Sequence, residues 1–210
     1  MNLYTFLSIG YDLLDRIWLS EGGRNPREVI DGLLPDHKCK VLDMCCGTFT
    51  NGLSVAKSKP DNLVVGLDRS NPMLREGKRK VDGEKLKNVK LLCRDATDTK
   101  IRDSVFDYVI IGLVLHECDP ELWEKILREA HRILKDDGRI IILEWEKPRG
   151  LKQQVKYAPL YIAEVLNNPG YFKMFFRSDK KEFFKKYGFE TEQQISCNYT
   201  TVLSLKKDER

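Results

Sequence analysis

The chain has 210 residues, 41% of them hydrophobic and 32% charged, with 36 Lys and Arg against 32 Asp and Glu and a formal net charge of +4. That length fits one domain able to bury a sizeable core, and no apolar run is long enough to cross a bilayer. Basic residues alternate with acids and no nucleic-acid motif appears, so a nucleic-acid partner is not expected.

The first basic residue is Arg16, which leaves no charged region ahead of an apolar segment, so a secretory signal is not expected. The six cysteines, Cys39, Cys45, Cys46, Cys93, Cys118 and Cys197, form no C-x-x-C pair. They read as free thiols of a reducing cytoplasm, and no metal set is expected.

Residues 1–36 read as a helical cap. Leu3, Phe6, Leu7, Leu14, Ile17 and Trp18 share one face at helical spacing with Tyr11 between them, Gly22 and Gly23 end the run, and Asn25-Pro26 caps a second helix to about Leu34. Neither helix precedes a strand of its own. Their apolar faces are expected to cover the core, a ligand or a membrane surface, which leaves peripheral membrane contact open.

Residues 38–148 form the expected core. From Val41 to Gly52 the stretch VLDMCCGTFTNG reads as buried strand, tight turn and helix start. Gly47 suits a turn closed to other residues, and the N–H groups opening the next helix suit a negative group. Cys45 and Phe49 stand where a G-x-G-x-G loop would have its outer glycines.

Alternation then continues with a strand to Asp68, a helix from Asn71 to about Val81, a strand through Cys93 and a strand from about Phe106 to Leu115. Asp119-Pro120 opens a helix to Leu134, Asp137-Gly138 makes a turn, and a fifth strand runs from Arg139 to Trp145. This is a parallel, Rossmann-like α/β sheet with helices on both faces. Its strands deliver Asp68, Asp95, His116 with Glu117, and Glu144 at their C-terminal ends, the edge where such sheets bind ligands.

After Pro148 the alternation stops. Residues 150–177, with a helix, a break at Asn168-Pro169-Gly170 and the cluster Tyr171 to Phe176, read as a lid over the ligand edge. Ser178 is expected to cap a short helix to Lys186, and residues 178–210 end in two strands whose tight connection demands antiparallel pairing. The C-terminal KKDER reads as a solvated end.

VLDMCCGT, GLDRSNPML, FDYVIIGLVL and EAHRILKDDGRIIILE, in order and at compatible spacing, resemble class I S-adenosylmethionine-dependent methyltransferases, closest to the ubiquinone/menaquinone biosynthesis family. The resemblance covers roughly residues 38–148. It implies S-adenosyl-L-methionine as cofactor, S-adenosyl-L-homocysteine as product, and transfer to a small, partly apolar or quinone-like acceptor. Asp43, Met44, Cys45 and the Gly47-Thr48 turn would hold the methionine end. Asp68 and Arg69 would serve the ribose, Asp95 and Ala96 the adenine, and Ile111 and Gly112 would pass beside the bound cofactor. Thr50 replaces the acid of the quinone enzymes, and Leu115, His116 and Glu117 follow the fourth strand where those enzymes carry an arginine.

His116 is the expected catalytic base or acceptor contact, with hydrogen bonding to the following helix as its structural alternative. Tyr11, Tyr157 and Tyr161 are expected beside the acceptor, with Lys152, Lys156 and Lys173 available to a negative one. Two rival functions remain: a cofactor-binding regulatory protein without turnover, and a nicotinamide-dependent oxidoreductase, against which Cys45 and Phe49 argue.

Overall fold

The computed structural model describes residues 24–167 and 170–208. The first expected helix, with Tyr11, Ile17 and Trp18, lies outside these residues, as do Asn168 and Pro169 of the expected break and the last two residues.

Seven strands form one sheet in the order β3-β2-β1-β4-β5-β7-β6. β1 (Lys40–Met44), β2 (Leu63–Asp68), β3 (Val89–Cys93), β4 (Phe106–Gly112) and β5 (Leu134–Trp145) run parallel. β7 (Thr200–Lys207) pairs antiparallel with both β5 and β6 (Phe189–Cys197), as the short Asn198-Tyr199 connection requires. Because successive strand residues face opposite sides, β5 sends Ile140 and Ile142 to one core and Ile141 and Leu143 to the other. Both faces are therefore covered, and the parallel strands read as continuous apolar runs.

Helices α1 (Pro26–Leu33), α2 (Thr50–Ser58) and α3 (Asn71–Gly83) cover one face, and α4 (Pro120–Ile133) lies on the other with α6 (Tyr171–Arg177) and α7 (Lys180–Lys185). Asn25, Ser70 and Asp119 cap α1, α3 and α4 by accepting backbone N–H bonds, each ahead of a proline in the first turn. The cap of α7 is Asp179, not Ser178, and it accepts from Lys181 and Glu182.

The expected turn at Asp137-Gly138 belongs to β5 itself. Leu134 pairs with Phe106 and Arg139 with Tyr108, so residues 135–138 bulge from the ladder. Gly138 is needed there, since a Cβ would lie 2.8 Å from the Asp107 carbonyl oxygen. β4 ends at Gly112, earlier than expected, and Leu115–Glu117 form a single 3-10 turn.

The expected lid contains α5 (Leu151–Asn167) and α6. Tyr157 and Leu160 of α5 pack with Trp145, Phe172 and Tyr199, while Leu151, Val155, Ile162 and Leu166 are exposed. Among the described residues no helix is long and apolar enough to cross a membrane.

Candidate active site

The strand order reverses between β1 and β4, and the carboxyl ends of the parallel strands there open onto a cavity of about 400 Å³. Such switch points are where open α/β sheets take ligands, and the volume suits a cofactor-sized molecule. Its walls include the turn after β1, Asp68 and Arg69 after β2, Asp95 and Ala96 after β3, Gly112 and His116 after β4, and Trp145 of β5. Leu122 and Ile126 of α4 and Leu160 and Glu164 of α5 close it.

The turn after β1 carries three left-handed residues at alternate positions, Cys45 at φ 60°, Gly47 at φ 51° and Phe49 at φ 62°. Only the middle one is the residue such a backbone prefers, and the others each cost about 1–2 kcal/mol. Hydrogen bonds hold the turn: Cys46 N–H to Leu67 O at 3.0 Å, Phe49 N–H to Cys46 O at 2.7 Å, and Gly47 N–H to Asp68 Oδ2 at 2.8 Å. Packing holds it further. The Phe49 ring points away from the cavity and is fully buried, and a Cβ on Gly52 or Gly66 would overlap it at 2.1 or 2.6 Å. Bare glycines on α2 and β2 thus make the slot that accepts Phe49. From α3, Lys80 donates to Thr48 and Thr50 at 2.9 and 3.2 Å, so a cation steadies the loop.

α2 has no side-chain cap of its own. Asp43 substitutes across the strand, accepting the Gly52 N–H at 2.8 Å. Burial pushes its carboxyl up to about 7, against the opposing pull of that bond, and the charge of Asp68 adds to the rise.

Asp68 is the best-placed acceptor. Oδ2 takes the Gly47 N–H and Oδ1 takes the Ser70 N–H, both at 2.8 Å. A carboxylate offers about four lone-pair positions, so each oxygen retains one for a ligand. Asp95 is exposed, and Thr97 donates to it through backbone and hydroxyl, which holds its carboxyl below the ordinary range.

At the other end of the cavity His116 is 2% exposed and its Nδ1 meets Glu144 Oε2 at 2.7 Å. Glu144 is fully buried and its Oε1 accepts the Leu115 N–H at 2.9 Å. Burial works against a charged imidazole, but the Glu144 and Glu164 carboxylates outweigh it and push the group up to about 10. Burial also pushes the Cys45 thiol far up and the Cys118 thiol up to about 12, so neither supplies a thiolate at neutral pH.

Of the residues expected to hold a cofactor, Cys45, Gly47, Thr48, Asp68, Arg69, Asp95, Ala96 and Gly112 line the cavity, whereas Asp43, Met44 and Ile111 lie behind its walls. Tyr157 and Tyr161 also stand outside it. Tyr157 stacks between Tyr199 and Phe176, and Tyr161 packs on Phe172, so these rings fasten α5 to α6 and to the β6–β7 connection. Lys152, Lys156 and Lys173 are absent from the walls; Glu117 and Glu164 stand there instead. Tyr11 lies outside the described residues.

Sequence reasoning missed Asn51, Trp145 and Glu164. Asn51 Oδ1, Trp145 Nε1 and His116 Nε2 are buried without a hydrogen-bond partner, and all three residues line the cavity. Buried polar atoms usually find a partner in the protein, in water or in a ligand. A tryptophan at the carboxyl end of the fifth strand was the available signal for one of them.

A family model described as a methyltransferase domain matches residues 41–138. A demethylmenaquinone methyltransferase of Bacillus mycoides is 37% identical over 144 residues, covering 68% of this chain and 58% of that protein. The likeness to methyltransferases thus spans the first four strands and the start of the fifth. The chain spans little more than half the length of the demethylmenaquinone methyltransferases it matches. Solved structures show the same fold. A SAM-dependent methyltransferase of Aquifex aeolicus superposes with a TM-score of 0.67 at 18% identity, over 95% of this chain and 96% of that one. The 1,6-didemethyltoxoflavin-N1-methyltransferase of Burkholderia thailandensis, solved with its substrate and S-adenosylhomocysteine, gives 0.66 at 14% identity over 99% and 88%.

Proposed function

We propose that this methyltransferase domain binds S-adenosylmethionine along the β1, β2 and β3 end of the cavity and transfers its methyl group to a small, partly apolar acceptor at the His116 end. The observation that carries the reading is Asp68, whose two oxygens each keep an acceptor position beside the left-handed Gly47 turn. That donor and acceptor pattern suits a vicinal diol such as a ribose. An added Cβ on Gly47 would meet nothing within 4 Å, so the turn leaves open space for close approach.

When bound, the cofactor supplies a sulfonium that already activates the methyl group. The chain's part is to align and to exclude water. Asp68 holds the ribose hydroxyls, Asp95 and the Ala96 N–H serve the adenine edge, and Gly47 with Thr48 approach the methionine end. Leu122, Ile126, Leu160 and Trp145 give the acceptor end its apolar walls. With Nδ1 committed to Glu144, the His116 ring turns Nε2 toward the acceptor end, and Trp145 Nε1 offers a polar contact there. The acids at this end favour a neutral or electron-rich acceptor over an anion. The demethylmenaquinone methyltransferase relatives support a reduced quinone-type ring as the class to try first.

The test is S-adenosylhomocysteine release with methyl-labelled cofactor and a panel of hydroquinols, catechols and aromatic amines. Label appearing in a ring acceptor supports the reading. Cofactor binding without label transfer to any acceptor would support a regulatory role instead.

A further inference from the structure

The inner end of the cavity carries a feature that methyl transfer does not require. His116, Glu117 and Glu164 each bring one ligand atom within 4.8 Å of the others. Glu117 comes from the turn after β4 and Glu164 from the last turn of α5, so the fold, with no local sequence signature, assembles them. His116 Nε2 stands 3.6 Å from Glu164 Oε2 and 3.9 Å from Glu117 Oε1, beyond hydrogen-bond reach of both.

Nε2 is buried and without a hydrogen-bond partner, and it is aimed between two carboxylates. A buried nitrogen in that position has lost its water without gaining a partner. Two ligands each about 2.1 Å from one ion lie at most about 4.2 Å apart, and both nitrogen–oxygen separations fall inside that limit. The far side of the imidazole is built as metal-binding histidines are. Nδ1 is fixed by buried Glu144, itself held by the Leu115 N–H, which orients the ring so that Nε2 faces the cavity.

We propose that His116 Nε2, Glu117 and Glu164 bind one divalent first-row transition-metal cation, with its remaining coordination positions open to the cavity. One imidazole nitrogen with two carboxylate oxygens suits manganese, iron(II) or zinc. An oxygen-bearing acceptor would complete the coordination sphere beside the methyl donor; that second step rests on the reaction proposed above, whereas binding of the cation does not.

The experiment titrates the full chain with Mn²⁺, without cofactor or acceptor, and follows loss of the free-ion electron paramagnetic resonance signal. One Mn²⁺ per chain is expected, with Glu164→Gln weakening it at least tenfold and Glu121→Gln, on the exposed face of α4, leaving it unchanged. Should Glu164→Gln not fold, Glu117→Gln, whose side chain is 33% exposed, carries the same expectation. Absence of binding for both Mn²⁺ and Zn²⁺ at millimolar concentration would overturn the proposal, as would equal affinity in the folded Gln variants. S-adenosylhomocysteine calorimetry on the same variants separates this result from the cofactor reading, since neither glutamate is assigned to the cofactor.

Discussion

The ring of Phe49 occupies the space where a side chain on Gly52 would begin, with its Cε2 only 2.1 Å from that Cβ position. Phe49 stands where a G-x-G-x-G loop would have its last glycine, and Gly52 is one compensation for it. The left-handed turn survives without its outer glycines because the misfit side chain is buried rather than turned toward the ligand.

Gly52→Ala should therefore destabilise the protein by about 1–3 kcal/mol, the range for overpacking a filled core. Phe49→Ala should cost about 3–5 kcal/mol through the cavity it leaves. Residues in such contact are not independent, so the double variant should lose less than the two losses added, by at least about 0.5 kcal/mol. Urea unfolding of the four proteins measures this, and strict additivity would show that the ring does not fill the Gly52 slot.

Asp43 makes a pH prediction. Burial raises its carboxyl from an ordinary 3.8 to about 7. Between about pH 4 and 7 the unfolded chain has released this proton while the folded chain keeps it, so stability falls as pH rises through that window and levels off above it. Asp43→Asn retains an oxygen to accept the Gly52 N–H but has no charge to desolvate. Its stability relative to the parent should rise across the window by about 1.4 kcal/mol per pH unit at most. Parallel pH profiles from denaturant unfolding would contradict the assignment.

His116 and Glu144 form a buried pair 2.7 Å apart. Removing only the imidazole strands a fully buried carboxylate, so His116→Ala should cost about 3–5 kcal/mol. His116→Gln with Glu144→Gln, which removes both charges together, should recover part of that loss. Where the His116 variants fold, turnover should fall about a hundredfold or more with cofactor affinity nearly intact. Thermal unfolding and single-turnover label transfer read the two effects separately.

Much of the fold can be read locally. Asn25-Pro26, Ser70-Asn71-Pro72 and Asp119-Pro120 start helices because the cap and the proline sit in adjacent positions, and the cap bonds span only a few residues. Asp68 ends β2 and Asp95 follows the end of β3 by two residues, so both lie at the carboxyl edge of the sheet. What escapes such reading depends on contacts between distant residues. Glu164 meets His116 only because α5 folds back over β4, and Tyr157 turns from the acceptor toward Tyr199 because β7 returns beside β5. Residues 135–138 look like a plain turn until the pairing of Leu134 with Phe106 shows them bulging within one strand.

The most direct test of the central claim is calorimetric titration of the full chain with S-adenosylhomocysteine, for wild type and Asp68→Ala. A methyltransferase site anchored on Asp68 predicts one ligand per chain, with affinity weakened by about 1–3 kcal/mol in the variant. No heat with either S-adenosylhomocysteine or S-adenosylmethionine, or equal affinity in the folded variant, would contradict it.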